Sequence, residues 1–349
     1  MNAQLWHRPA TIERNHFKFK SLSCWAYNVA VGCGHACRFC YVPAVTGKGA
    51  TAAAMKKLGV QDPDAEWGEY VFPRKWDKGA FMASLRAAEQ TPAHELNADG
   101  NRAVMLCTTT DPYQTIGHGA GEAAQQHRPT LQAQLDSLVR EALVLMCWGP
   151  MNGSHPLNVR ILTRSPLARR DFPLMKQFGK RLLFGMSIPT LNNKLAKIYE
   201  PRAPSPSQRL KTLKLAREAG LNVFVAVAPA YPECDAEDMR RTLQAVMELE
   251  PVTVFMEPIN VRAENVARIA AAWEENGAGD TPALPENHEA WKGYALKQLF
   301  QFERVAYDLG VPDNVLHLWP DPGLCTKQTP PDIRNWLHKQ WSKISRWPA

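Results

Sequence analysis

The chain has 349 residues, a formal charge of +7 and eight cysteines. Cysteine is too sparse for a disulfide scaffold, and His7, Arg8, Arg14 and Lys18 interrupt any apolar run from Met1 to Phe19, which excludes a secretory signal there. No segment approaches the roughly 20 apolar residues that span a bilayer, so a cytoplasmic protein in a reducing compartment, with no membrane partner, is expected.

In chain order, an N-terminal arm (residues 1–23) precedes a first predicted strand, Cys24–Val31, which Gly32 ends. Cys33, Cys37 and Cys40 follow at once, in the run C-G-H-A-C-R-F-C. This C-x3-C-x2-C spacing offers three soft thiolates from one loop, with no fourth cysteine nearby. A [4Fe–4S] cube held by three thiolates keeps one iron open for a small molecule. Structural zinc usually pairs C-x2-C with a distant second pair, and zinc is the alternative here. Phe39 is placed to shield a metal and stack on a purine; plain packing under the loop is the other role for Phe39 and Tyr41. His35 is expected to face solvent.

Residues 46–102 read as an insertion rich in Ala, Gly, charge and aromatics (Trp67, Tyr70, Phe72, Trp76), with Thr91–Asn101 as an exposed loop. Strands are then predicted at Ala103–Thr109, Asn158–Thr163, Arg181–Ile188, Asn222–Ala228 and Val252–Pro258. Helices are predicted at Thr130–Cys147, Leu167–Phe178, Ser207–Ala219 and Ala236–Leu249, the last capped by Asp235 and two others closed by Gly179 and Gly220. Strand segments such as Val223 to Val227 are apolar throughout, which implies burial on both faces in a parallel sheet. About six strand–helix units make an α/β core over residues 24–260, closing as a barrel or partial barrel. In such folds the chemistry lies just past the strands, so Thr108–Asp111, Thr163–Ser165 and Ser187–Thr190 share one mouth with the cysteine loop. Residues 261–349 form a mostly helical extension: Ala263–Glu275, a connection at Gly277–Asn287, His288–Leu309, a short strand Val315–Trp319 and a last helix Asp332–Trp341.

Between Arg164 and Arg217 lie thirteen Lys or Arg against Asp171 and Glu200, a local excess larger than that of the whole chain. Such a segment suits a polyanion, nucleic acid above all, or simply covers solvated helix faces. Glu200-Pro201-Arg202 either anchors a ribose or phosphate or pairs internally. There is no G-x-G-x-x-G after a strand, no phosphate loop and no H-E-x-x-H.

The cysteine loop resembles the C-x3-C-x-aromatic-C signature of radical S-adenosylmethionine enzymes. Thr108–Gln114 (T-T-T-D-P-Y-Q), Leu162–Asp171, Ser187–Asn192, Glu200–Pro206 and Val227–Pro232 are similar to the spore photoproduct lyase-like, or DNA repair photolyase-like, branch. The resemblance spans about residues 24–260. It implies a partial (β/α)6 TIM-like barrel with the insertion and helical extension above, and a [4Fe–4S] cluster on Cys33, Cys37 and Cys40. It implies that S-adenosylmethionine is bound at the open iron and cleaved to a 5′-deoxyadenosyl radical, with electrons from a donor such as flavodoxin or ferredoxin. Phe39, Thr110, Asp111, Arg164 and Ser187 take the cofactor-binding positions. The substrate implied is a nucleic-acid lesion repaired by carbon–carbon cleavage; radical chemistry on RNA, a peptide or a small molecule is the alternative, and a non-catalytic iron–sulfur nucleic-acid-binding protein the third reading. In spore photoproduct lyase a cysteine ahead of a Thr-Ser-Asp run donates the hydrogen that quenches the product radical. Cys107 holds that place here, but one residue further from Asp111, and on a strand one residue reverses the face. A buried structural role for Cys107 is the alternative.

Overall fold

Strands without alternating polar positions need cover on both faces, and the main sheet supplies it. The computed structural model describes residues 1–15, 22–96, 101–117, 122–149, 155–262, 264–276 and 287–343, with side chains from 129 onward in the helix Glu122–Trp148. Residues 97–100 of the expected loop, and the expected connection at Gly277–Asn287 up to residue 286, lie outside the described residues.

The strands are β1 (Asn2–Ala3), β2 (Ile12–Arg14), β3 (Trp25–Tyr27), β4 (Ala30–Gly32), β5 (Tyr70–Pro73), β6 (Ala103–Leu106), β7 (Asn158–Thr163), β8 (Leu182–Ser187), β9 (Asn222–Ala230), β10 (Thr253–Pro258) and β11 (Leu316–Leu318). The main sheet runs β2-β3-β6-β7-β8-β9-β10-β11. It is parallel from β3 to β11, and β2 pairs antiparallel on the outer edge of β3. Alternate residues of each strand divide between two cores. Met105, Leu183, Phe224, Ala226 and Phe255 form an inner apolar cluster, while Val104, Ile161, Phe184, Val225 and Val254 pack outward under the helices.

The expected single strand Cys24–Val31 is two strands. β3 stays in the main sheet, whereas β4 turns away to pair antiparallel with β5 in a small β1-β5-β4 sheet. The break falls at Asn28, whose Oδ1 accepts from the Thr108 and Thr109 N–H groups at 2.9 and 3.0 Å. That side chain supplies partners that sheet pairing would otherwise supply. Gly32 ends β4 at φ +88°, and a Cβ there would lie 2.3 Å from the Tyr70 carbonyl oxygen, so only glycine can start the cysteine loop at this angle.

The expected helix Leu167–Phe178 is likewise divided, into a 3-10 segment Pro166–Asp171 and one helical turn Phe172–Lys176. Pro173 has no N–H with which to continue the first segment into the second. Five helices lie within a few residues of their expected places: Pro206–Glu218, Ala236–Met247, Asn265–Glu275, His288–Asp308 and Pro331–Ser342. The helix expected at Thr130–Cys147 starts earlier, as Glu122–Trp148, and Val42–Thr46, Gly49–Lys57, Lys78–Gln90 and Asn193–Tyr199 are helices that the sequence did not indicate. Asp235 caps its helix by accepting from the Asp238 N–H. Among the described residues no helix is long and apolar enough to cross a membrane.

Candidate active site

The C-terminal ends of β6 to β10 and the loop after β4 surround a cavity of about 250 Å³. Cys33, Cys37, Phe39, Cys40, Cys107, Thr110, Asp111, Arg164 and Ser187 all border it. The structure therefore brings these nine candidate residues to one opening, whereas Thr163, Ser165, Thr190, Glu200 and Arg202 do not line it. Its other wall is apolar, formed by Met105, Leu162, Ala226, Phe255 and Trp319.

Side chains from distant parts of the chain tie down the backbone of the cysteine loop. Thr110 Oγ1 donates to the Gly32 carbonyl at 2.5 Å, and the Gly34 N–H donates to Gln114 Oε1 at 2.6 Å. The Arg38 N–H reaches the Tyr199 carbonyl at 2.8 Å. From the helix Asn265–Glu275, Asn265 Nδ2 donates to the Phe39 carbonyl at 3.0 Å, and Arg268 donates to the carbonyls of Arg38 and Cys40. The backbone that carries the three thiols is thus fixed by contacts from several distant elements. Burial pushes Cys33, Cys37 and Cys40 up to about 12, so each stays protonated at neutral pH unless a cation supplies the opposing charge.

Among the described residues no three His, Cys, Asp or Glu side chains form a donor set for a single metal ion. A cubane asks for a different arrangement, because its three thiolates bind three different irons. Three soft donors at the rim of a cavity, Cys33 and Cys37 buried and Cys40 half-buried, fit that group.

Asp111 is the electrostatic hub. Its carboxylate accepts from Thr163 Oγ1 at 2.7 Å, the Arg164 N–H at 2.8 Å and the Tyr113 N–H at 2.9 Å, and His35 Nε2 lies 3.2 Å away. Burial alone would raise this carboxyl, but His35, Thr163 and Arg164 outweigh it and hold it at about 2. Asp111 is therefore both a turn residue and a bridge from the end of β6 to the end of β7. His35 does not face solvent as expected: the loop folds back and buries it beside Asp111. The Thr110 hydroxyl, already bound to Gly32, also accepts from Gln114 Nε2 at 2.5 Å.

Arg164 lies with its guanidinium 5.4 Å over the Phe39 ring and donates from Nε to Glu200 Oε1 at 2.6 Å. Glu200 is fully buried and also bridges to the buried Arg209. Glu200 thus pairs internally, as the centre of an Arg164–Glu200–Arg209 triad, and Arg202 turns instead to the Gly68 carbonyl and Glu69. Burial would raise the Glu200 carboxyl, yet the two guanidinium groups hold it below the ordinary carboxylate value. Arg209, nine residues along on a helix, gave no sequence sign of this role.

Cys107 ends β6 with a left-handed φ of +66°, uncommon outside glycine. It lies two residues after Met105, another cavity residue, and so borders the cavity despite its extra residue of separation from Asp111. Its thiol lies 3.5 Å from the Tyr27 carbonyl, and burial pushes it well up.

Six of the thirteen basic residues between Arg164 and Arg217 stand in ion pairs: Arg164 and Arg209 with Glu200, Arg170 with Asp136, Arg202 with Glu69, Lys214 with Glu248 and Arg217 with Glu250. Four of the five carboxylates lie outside the segment, so its charge excess is partly neutralised in the fold.

No protein-family model matches the chain. It is 34% identical over 260 residues to the uncharacterized protein ORF301 of Acidianus two-tailed virus, covering 72% of each chain. It is 27% identical over 207 residues to the uncharacterized protein Rv2578c of Mycobacterium tuberculosis, covering 58% of this chain and 48% of that one. The structure of spore photoproduct lyase complexed with dinucleoside spore photoproduct superposes with a TM-score of 0.57 at 13% identity, over 90% of this chain and 80% of the lyase. The chain belongs to the family of the viral protein ORF301 and has the radical S-adenosylmethionine fold of spore photoproduct lyase.

Proposed function

We propose that the chain is a radical S-adenosylmethionine enzyme with its active site in this cavity. The observation that carries the reading is the meeting of the three-thiol loop with Asp111, Arg164 and Ser187 at one opening of a partial barrel. Cys33, Cys37 and Cys40 hold the [4Fe–4S] cluster and leave one iron for S-adenosylmethionine. Bound together, the pair supplies one-electron cleavage of the sulfonium to methionine and a 5′-deoxyadenosyl radical.

The chain's own residues prepare the site. Arg164, braced by Glu200 through Nε and reaching the Ala228 carbonyl from Nη2 at 3.5 Å, turns Nη1 to the cofactor carboxylate. Ser187, at the end of β8, hydrogen-bonds the cofactor, and Phe39 covers it. Asp111 and Thr110 hold the strand ends and the cysteine loop in register, with Asp111 facing the cofactor amino group. The apolar wall excludes water from the reacting centre. Cys107 donates the hydrogen that quenches a product radical. Residues 24–260 act as the catalytic core, with 46–102 and 261–349 as additions around it, and flavodoxin or ferredoxin serves as reductant.

The substrate is a nucleic-acid lesion opened by carbon–carbon cleavage, a reading supported by the likeness in fold to the lyase bound to dinucleoside spore photoproduct. An enzyme acting on a base in a duplex must extrude it into such a pocket. The second reading, radical chemistry on RNA, a peptide or a small molecule, is favoured by the ion pairs that neutralise part of the basic segment. Ultraviolet-irradiated DNA separates the two. Reduced, cluster-loaded protein with S-adenosylmethionine is expected to return thymine dimers to monomers; intact cofactor cleavage without dimer loss would leave only the second reading.

A further inference from the structure

Within the insertion, Trp67 borders the cavity and is only 6% exposed, yet its indole Nε1 has no hydrogen-bond acceptor. It packs in an apolar cluster with Val31, Val42, Met55, Val60 and Cys33, with Cys40 against the same cluster. A buried donor left without a partner costs about 1–3 kcal/mol. The aliphatic side chains around it offer no oxygen, and the neighbouring Tyr70 hydroxyl, which donates to the Pro63 carbonyl, does not accept from it. The acceptors that this corner of the cavity would gain on loading are sulfurs.

Trp67 is also fixed in position. Gly68, at φ +95°, brings the insertion so close to the cysteine loop that a Cβ there would lie 2.4 Å from that of Ala36. Arg202 donates to the Gly68 carbonyl at 2.7 Å, and Asp64 pairs with Arg268, which itself holds the Arg38 and Cys40 carbonyls. The segment carrying the indole is locked to the loop carrying the thiols.

We infer that the Trp67 indole N–H donates a hydrogen bond to a sulfur of the cluster on Cys33, Cys37 and Cys40, and that the insertion thereby sets the cluster's reduction potential. The inference rests on the cluster reading above. A hydrogen bond to a cluster sulfur stabilises the reduced, more negative form and raises the potential. Trp67 is a positioning and tuning residue: it adjusts the energy of the electron through the sulfur to which it donates.

The test compares wild type, Trp67→Phe and Trp67→3-benzothienylalanine, which keeps the bicyclic shape but puts sulfur in place of N–H. Each is reconstituted with iron and sulfide, titrated potentiometrically by electron paramagnetic resonance, and examined for exchangeable protons coupled to the reduced cluster. The expected result is unchanged iron content, a more negative midpoint in both variants, and loss of one exchangeable proton coupling. If Trp67→Phe disturbs packing, the benzothienyl variant decides. A wild-type potential and proton coupling in that variant would overturn the inference and leave the cluster reading intact. Failure of wild type to assemble any cluster would overturn both.

Discussion

Cys37→Ala is expected to lose the iron–sulfur chromophore and to form no detectable 5′-deoxyadenosine. Two thiols cannot complete a three-point hold on a cube, and the Cys33 and Cys40 thiols resist ionisation when the metal charge that balances them is gone. Cys147→Ala serves as the control, because Cys147 sits in the outer core away from the cavity. It should keep full iron content and full cofactor cleavage. Iron determination, the visible spectrum and product chromatography check both variants. Retention of cluster and cleavage by Cys37→Ala would remove that cysteine from the ligand set.

Glu200→Gln carries the largest expected cost in stability. The carboxylate lies fully buried between Arg164 and Arg209, and Arg209 is itself buried. Neutralising one partner of a buried ion pair leaves an uncompensated charge and costs about 3–5 kcal/mol. The damage reaches the site, because Arg164 loses the brace that holds its guanidinium over Phe39. Urea denaturation should show the drop, and adding Arg209→Met should recover much of it by removing the stranded charge. The pH dependence has a definite sign. Glu200 is held below its unfolded value, so its contribution is complete above about pH 4.3 and is lost as pH falls toward the depressed folded value. Glu200→Gln should therefore lose less stability than wild type on acidification below that point. An equal loss in both proteins would show that the triad does not stabilise the fold.

The central strands were legible because burial on both faces demands unbroken apolar runs. β7 begins and ends at the residues its sequence indicates, and β8 to β10 differ from expectation only at their ends. The split of the first strand was not legible, since it depends on Asn28 meeting Thr108 and Thr109 some 80 positions away. Local spacing marked the cysteine loop, but not what holds it. Gln114 reads as a loop residue, Arg209 as an ordinary helix-face arginine, and Asn265 and Arg268 as parts of a helix far from the thiols. Each takes its role only through tertiary contact. Cys107 shows a related limit. Its extra residue of separation from Asp111 argued it away from the cavity, yet it follows Met105 at two residues' distance and lines the cavity with it.

The most direct measurement is anaerobic incubation of the reconstituted wild-type protein with dithionite and S-adenosylmethionine, followed by quantification of 5′-deoxyadenosine and methionine. The expected result is formation of both, dependent on reductant and on bound iron and sulfide. A protein that carries a full [4Fe–4S] cluster, is reduced, and yields neither product would contradict the assignment of radical chemistry to this cavity.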